Sequence, residues 1–146
     1  MGFTPKRILV ANRGEIALRV IRACREMGHI PLAIYSTADR LSRHVSLADE
    51  AVCVGEGPSI QSYLNTAAVM KAAKDMRADA IHPGYCFLSE KAEFAQAVED
   101  AGMMFIGPAA QSIVSMGDKV MARKTMDKVG LPLVPGTKDG LTDENE

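Results

Sequence analysis

Residues 7–28 read RILVANRGEIALRVIRACREMG, and this stretch decides the fold. RILVA (7–11) is a short apolar run typical of a buried strand, and the polar turn NRGE (12–15) follows it. The next residues repeat with the 3.6-residue period of a helix, and Gly28 is placed to end that helix in a left-handed turn. A strand, a short turn and a helix predict the first half of a βα unit. One face of the predicted helix is formed by Ile16, Val20, Ala23 and Met27.

The same alternation continues along the chain. Asn65 and Ser89 are placed to cap two further helices, the second starting at Glu90, and Asp118 is placed to cap a last helix that ends at Gly130. Strands alternating with helices over short loops predict an α/β fold. We therefore expect a Rossmann-like, doubly wound parallel sheet in three layers. The further predicted strands are 31–36, 51–55, 79–84 and 103–107.

Composition supports this fold and excludes several functions. The 146 residues are 47% hydrophobic but only 5% aromatic, with no Trp, so the core must be aliphatic. The net charge is −1, from 17 basic and 18 acidic residues, which gives no case for nucleic acid or an anionic membrane as partner. No apolar run approaches the roughly 18 residues of a membrane span.

The three cysteines are widely spaced and form no CxxC pair, so neither a disulfide framework nor a structural zinc site is expected. A reducing, cytoplasmic location follows as the working expectation. No paired carboxylates stand at the spacing of a metal site, and no metal ligand is assigned.

Phosphate-binding signals are sparse. The NRGE turn holds only Gly14 where a dinucleotide fold would place three glycines, and the P-loop pattern is absent. MGDKV (116–120) is more informative, because Lys119 falls in the first turn of a helix beside free backbone N–H groups. Lys119 is therefore a candidate for a nucleotide phosphate, or alternatively a surface lysine that pairs with Asp118.

The segment IHPGYCFLSE (81–90) leaves a predicted strand and enters a predicted helix. His82 is a catalytic base or, more commonly at such a position, a hydrogen-bonded support. The loop is expected to carry Tyr85 and Glu90 above the sheet. Cys86 is a nucleophile, a ligand, or a residue standing where a smaller one belongs.

Charged side chains recur along the first helix at spacings of four, three and four residues, so neighbours can pair. They form either a solvated face or a self-complementary dimer patch. These residues are Glu15, Arg19, Arg22 and Glu26.

Taken in order and spacing, these stretches resemble the N-terminal domain of biotin carboxylase, the ATP-dependent component of acyl-CoA, pyruvate and related carboxylases. The resemblance covers about Lys6 to Gly136 and implies a Rossmann-like pre-ATP-grasp domain. The stretches are RILVANRGEIALRVIRACREMG, YSTADRLSRHVSLADEAVCVG, SYLN, IHPGYCFLSE, FIGP and MGDKVMARKTM.

The resemblance implies a ligase reaction in two stages. MgATP phosphorylates bicarbonate to carboxyphosphate, and the carbon dioxide released is captured by a ureido nitrogen of biotin on a carrier protein. A carboxyltransferase and a second copy of the ligase are the implied partners. The cofactors are ATP and Mg²⁺, with biotin as the carried substrate.

The resemblance also implies roles for individual residues. Lys119 matches the lysine that contacts ATP. Arg19, Arg22 and Glu26 match helix positions at the homodimer interface. Five residues match the border of the biotin and bicarbonate pocket: His82, Gly84, Tyr85, Cys86 and Glu90.

Two departures from the family pattern stand out. First, residues 1–115 are expected to form the N-terminal domain, and 116–146 a helix and linker leading toward an ATP-grasp domain. The resemblance places the phosphate loop, Mg²⁺ ligands and catalytic arginine of the family in that ATP-grasp domain. We therefore expect no catalytic residue and no carboxylation from the isolated chain. Second, Cys86 stands where the family has glycine, which is strained if the position needs a positive φ.

The alternative function is a non-catalytic dimerisation or regulatory module derived from a biotin carboxylase. A signalling receiver domain would need an acidic pair after the first strand, where VANRGE supplies only Glu15.

Overall fold

The computed structural model describes residue 4 and the ranges 6–117 and 119–132. Within them, five parallel strands form one sheet, flanked by helices. The strands are β1 (Arg7–Val10), β2 (Ile30–Ser36), β3 (Glu50–Gly55), β4 (Ala80–His82) and β5 (Met104–Phe105). The helices are α1 (Gly14–Glu26), α2 (Arg43–Leu47), α3 (Thr66–Asp75), α4 (Ala92–Asp100), α5 (Ala110–Gly117) and α6 (Lys119–Lys128).

The strand order β3-β2-β1-β4-β5 is that of a doubly wound sheet, with β1 in the centre. Successive side chains of β1 point to opposite faces. Leu9 packs with Val69 and Phe94 of the helices on one face, whereas Val10 packs with Ala17 and Ile21 of α1 on the other. The predicted three-layer α/β fold is therefore confirmed.

Helix α1 buries a different stripe from the one that the sequence suggested. Its buried residues are Ala17, Ile21 and Cys24, whereas Met27 is 64% exposed. The helix carries two adjacent apolar stripes. The sheet covers the stripe of Ala17, Ile21 and Cys24, which has the smaller side chains at its ends. The predicted stripe borders a surface groove instead.

One predicted helix start is confirmed and another is wrong. The side chain of Asn65 accepts a hydrogen bond from the backbone N–H of Ala68 at 3.1 Å, so Asn65 caps α3. Ser89, in contrast, lies within a 3-10 turn, where its hydroxyl donates to the Cys86 carbonyl at 2.6 Å. Helix α4 therefore starts three residues later than Ser89, at Ala92.

The predicted cap Asp118 lies outside the described residues, as does the side chain of Lys119. The predicted boundary between residues 115 and 116 falls within α5 and stays a prediction. Among the described residues, the helices are too short or too polar to cross a membrane.

Candidate functional site

The topological switch point of the sheet lies between β1 and β4, where a doubly wound fold usually opens a crevice for its ligand. The β1 turn (11–13) and the β4 loop (83–90) leave the strands at this point. Every candidate pocket residue from 82 to 90 lies in or next to the β4 loop, so its conformation is the main determinant of the site.

Asn12 bridges the two segments across the switch point. Its amide nitrogen Nδ2 donates to the carbonyl of Pro83 at 3.0 Å and to that of Tyr85 at 2.8 Å. Its Oδ1 accepts from the N–H of Arg13 at 2.9 Å, and the residue is 3% exposed. Both the nitrogen and the oxygen of the Asn12 side-chain amide therefore have hydrogen-bond partners.

Gly84 permits this contact. It has φ +68, and a Cβ at this position would lie 2.6 Å from Nδ2 of Asn12. Both the backbone conformation and the available space therefore require glycine here.

Cys86 occupies a backbone conformation that is almost reserved for glycine. Its φ and ψ are 56° and −154°, and the following residue, Phe87, has φ 47°. The predicted strain at Cys86 therefore has a geometric basis. The thiol is free and exposed.

His82 supports the loop. Its Nδ1 accepts a hydrogen bond from the N–H of Gly84 at 3.0 Å, so the neutral ring carries its proton on Nε2. Burial lowers the pKa of His82 below its usual value, which keeps the ring neutral near pH 7. The Nδ1 atom is thus engaged in holding the loop, while a role as base stays a prediction.

Tyr85 and Glu90 lie at two different openings. Tyr85 is 69% exposed and borders a groove of about 520 Å³ with His82 and α1. Glu90 borders a second cavity of about 560 Å³, closed on its other side by α5. This second cavity also includes Ser89, Pro108, Ser112, Ile113, Met116 and Gly117.

The lining of the cavity beside Glu90 ends at Gly117, the last residue of α5. The ATP role of Lys119 stays a prediction. No group of three or more His, Cys, Asp or Glu side chains suited to a metal ion occurs in the described part of the chain.

A polar cluster missed by the sequence analysis lies beside the switch point. Asp39 accepts from the Tyr63 hydroxyl at 2.7 Å and from Ser36 at 3.0 Å, and pairs with Arg13 at 3.4 Å. Partial burial opposes ionisation of Asp39, but these hydrogen bonds and the Arg13 charge hold its pKa below the usual range. Burial and the bond to Asp39 raise the pKa of Tyr63 to about 12.

Arg13 links this cluster to the β4 loop. Its guanidinium lies 5.6 Å from the ring centre of Tyr63 and 5.9 Å from that of Phe87. The two rings stack with their centres 5.5 Å apart. One cation therefore contacts both aromatic faces, a favourable arrangement.

The three candidate interface residues lie on the exposed side of α1. Arg19 pairs with Glu15 at 2.7 Å, and both side chains are more than 70% exposed, at 73% and 71%. Arg22 and Glu26 are also exposed. An exposed pair contributes little stability, so its presence leaves the interface interpretation open.

These features define a Rossmann-like α/β domain in which side chains of the β1 turn contact the β4 loop at the switch point. Residues 4–113 match the family described as biotin carboxylase, N-terminal domain, and the chain belongs to this family. The resemblance drawn from the sequence motifs is thereby confirmed.

Individual relatives of the chain are biotin carboxylases or larger carboxylases. The chain is 54% identical over 139 residues to biotin carboxylase of Haemophilus influenzae, covering 95% of this chain and 31% of that protein. It is 55% identical over 140 residues to the chloroplastic biotin carboxylase of Arabidopsis thaliana, covering 96% and 26%. Human mitochondrial pyruvate carboxylase is 50% identical, over 97% of this chain and 12% of its own length. The chain thus spans about a third or less of these relatives.

Solved structures share the fold. The biotin carboxylase domain of a single-chain bacterial carboxylase matches with a TM-score of 0.90 at 42% identity, covering 97% of this chain and 33% of that one. The biotin carboxylase domain dimer of Hydrogenobacter thermophilus 2-oxoglutarate carboxylase, in complex with MgADP, ADP and bicarbonate, matches with a TM-score of 0.90 at 46% identity. That match covers 96% of this chain and 31% of the other.

Proposed function

We propose that the chain acts as the N-terminal domain of a biotin carboxylase, the ligase that carboxylates carrier-bound biotin with bicarbonate through carboxyphosphate. The observation that carries this proposal is the family match over residues 4–113, supported by the TM-score of 0.90 to a domain bound to MgADP and bicarbonate. A cytoplasmic location is part of the proposal.

In this role the β4 loop borders the biotin and bicarbonate pocket. Tyr85 is exposed and borders the same groove as α1, where it can contact a bound substrate, while Glu90 borders the second cavity. Gly84 and His82 set the shape of the loop, and Cys86 narrows the border relative to a glycine. None of these residues forms a covalent intermediate in the proposed reaction.

The nucleotide is held jointly with the rest of the ligase. Lys119 contributes one contact to ATP at the start of α6. We assign the Mg²⁺ ligands to the rest of the ligase, because the chain covers 31% of the Haemophilus enzyme. We accordingly expect no carboxylation of biotin by the isolated chain.

The partners follow from the same role. A biotin carboxyl carrier protein delivers biotin, and a carboxyltransferase uses the carboxylated product. A second copy of the ligase docks against α1 through Arg19, Arg22 and Glu26, a proposal supported by their exposure and by the dimer of the Hydrogenobacter relative.

Calorimetry on the chain alone tests the shared nucleotide site. We expect no heat of MgATP binding, with Lys119→Ala as the matched control. Binding that disappears in the variant would instead indicate a self-contained nucleotide-binding module.

A chimera tests the ligase role. The matched N-terminal third of the Haemophilus enzyme is replaced by this chain, and ATP hydrolysis is measured with and without bicarbonate and biotin. We expect hydrolysis that depends on both substrates. A folded chimera without such hydrolysis would contradict the proposed function.

A further inference from the structure

We propose that Asn12 and Arg13 are positioning residues that hold the β4 loop in the conformation its substrates require. The proposal rests on the proposed function, because it assigns the loop to a substrate pocket. Neither residue touches a reacting atom; both act through the loop.

The loop needs external anchors because its backbone is strained. Gly84, Cys86 and Phe87 all have positive φ within four residues, and two of the three carry side chains. Side chains disfavour this region, so the loop would relax without contacts that fix it. The adjacent β1 turn supplies such contacts, in addition to the hydrogen bonds of His82 and Ser89 within the segment.

Asn12 anchors the first half of the loop. Both of its described Nδ2 contacts go to loop carbonyls, those of Pro83 and Tyr85 on either side of Gly84. An aspartate of the same shape would place an oxygen against two carbonyl oxygens in a buried site, which is repulsive. The loop therefore requires the hydrogen-bond donor of the Asn12 side-chain amide, and a side chain of the same volume is not sufficient.

Arg13 anchors the second half. Its guanidinium contacts the ring of Phe87 directly and is held by Asp39 and Tyr63. Asp39 is itself fixed by Tyr63 and Ser36, so the cation has a defined position. Tyr85 is thus held through its own backbone carbonyl, and Glu90 follows the Phe87 contact in the chain, which sets where each side chain can meet a substrate.

The arrangement also gives the switch point a different use. In a dinucleotide-binding sheet this crevice holds the ligand. Here the side chains of Asn12 and Arg13 reach from the β1 turn to the β4 loop, whose exposed residue Tyr85 faces a neighbouring groove.

The first experiment measures loop order in the chain alone. Asn12→Asp is compared with Asn65→Asp, the same chemical change at a helix cap that aspartate also serves well. We expect amide hydrogen exchange in residues 83–91 to rise by about tenfold or more in the first variant and to stay unchanged in the second. Arg13→Met, which keeps an apolar stem but removes the planar cation, is the second variant and covers the case in which Asn12→Asp does not fold.

The cysteines supply an internal reference. Cys86 and Cys53 are both free and exposed, one in the loop and one in β3. The ratio of their alkylation rates by iodoacetamide, read by mass spectrometry, should change in Asn12→Asp and Arg13→Met but not in Asn65→Asp. A general loss of stability would also open the core, and faster alkylation of the buried Cys24 would therefore contradict a local role.

The second experiment places the same variants in the chimera. A positioning role predicts that KM for biotin or bicarbonate rises by about tenfold while KM for ATP changes by less than about twofold. Unchanged exchange in residues 83–91, or a loosened loop with unchanged kinetics, would overturn the proposal. An inactive parent chimera with a loosened loop in the variants would refute the ligase role and leave the anchoring intact.

Discussion

The Tyr63 hydroxyl lies 2.7 Å from a carboxylate oxygen of Asp39, and the same hydroxyl accepts a hydrogen bond from the buried N–H of Ser36 at 3.0 Å. One phenol oxygen therefore joins the end of β2 to the turn that follows it. Tyr63, the residue that carries this oxygen, is fully buried.

Tyr63→Phe should destabilise the domain by about 1–3 kcal/mol, because it leaves the buried N–H of Ser36 without its partner. Urea unfolding measures the change. Tyr85→Phe removes the same atom from an exposed ring and should alter the free energy of unfolding by less than about 0.5 kcal/mol. Equal effects of the two substitutions would contradict the role of the Tyr63 hydroxyl.

Cys86→Gly should stabilise the domain by about 1 kcal/mol, since relief of strain of about 1–3 kcal/mol exceeds the extra chain entropy of glycine. The change is read from the midpoint and slope of chemical unfolding. Cys53→Gly, in β3, should lower stability by about 0.5–1 kcal/mol because glycine weakens a strand interior. A Cys86→Gly protein no more stable than its parent would show that the loop carries no strain at this position.

Gly84→Ala should cost more than Gly102→Ala, although both glycines have similar φ values of +68 and +76. A Cβ at Gly102 would meet nothing within 4 Å, whereas at Gly84 it would displace Asn12. We expect about 1–2 kcal/mol for Gly102→Ala and at least about 1 kcal/mol more for Gly84→Ala, from the strain plus lost hydrogen bonds. Matching losses in thermal unfolding would mean that Asn12 adapts without cost.

Stability should fall as the pH drops below about 6.5, the usual pKa of histidine. Burial lowers the pKa of both His44 and His82 in the folded state, so the unfolded chain binds more protons in this range. The stabilisation is complete above pH 6.5 and is lost as the pH falls toward the folded-state values, by at most about 1.4 kcal/mol per pH unit for each proton.

His44→Gln provides the test of this pH dependence. Nε2 of His44 lies 3.2 Å from the Ile34 carbonyl, and Nδ1 is buried without a hydrogen-bond partner among the described residues. Glutamine can keep the first contact but cannot take up the proton. The variant should therefore lose less stability than the parent between pH 7 and pH 5, and an unchanged slope would exclude His44 as a contributor.

Local signals in the sequence were sufficient for most of the fold. The alternation of apolar runs and helical periods predicts the parallel sheet, and the residue type of Asn65 predicts its cap. The glycine-like position of Cys86 was also predictable, because the resemblance places a glycine there and the structure gives it φ 56°.

The remaining features depend on contacts between distant residues. The turn that delays α4 depends on Ser89 bonding to Cys86 instead of capping the helix, and both choices suit a serine. Arg13, Asp39 and Tyr63 are far apart in the chain, so their cluster exists only once β1 and β2 are paired. The one available signal is the Asn-Arg pair that follows a buried strand, and by itself this pair indicates only a poor phosphate loop.

The most direct test of the central claim is the formation of carboxybiotin by the chimera from isotopically labelled bicarbonate. We expect labelled product that requires ATP, a higher rate of its formation in the Cys86→Gly variant, and no product from this chain alone. A folded chimera that forms no labelled product, whether it keeps Cys86 or carries the Cys86→Gly substitution, would contradict the assignment of this domain to the ligase.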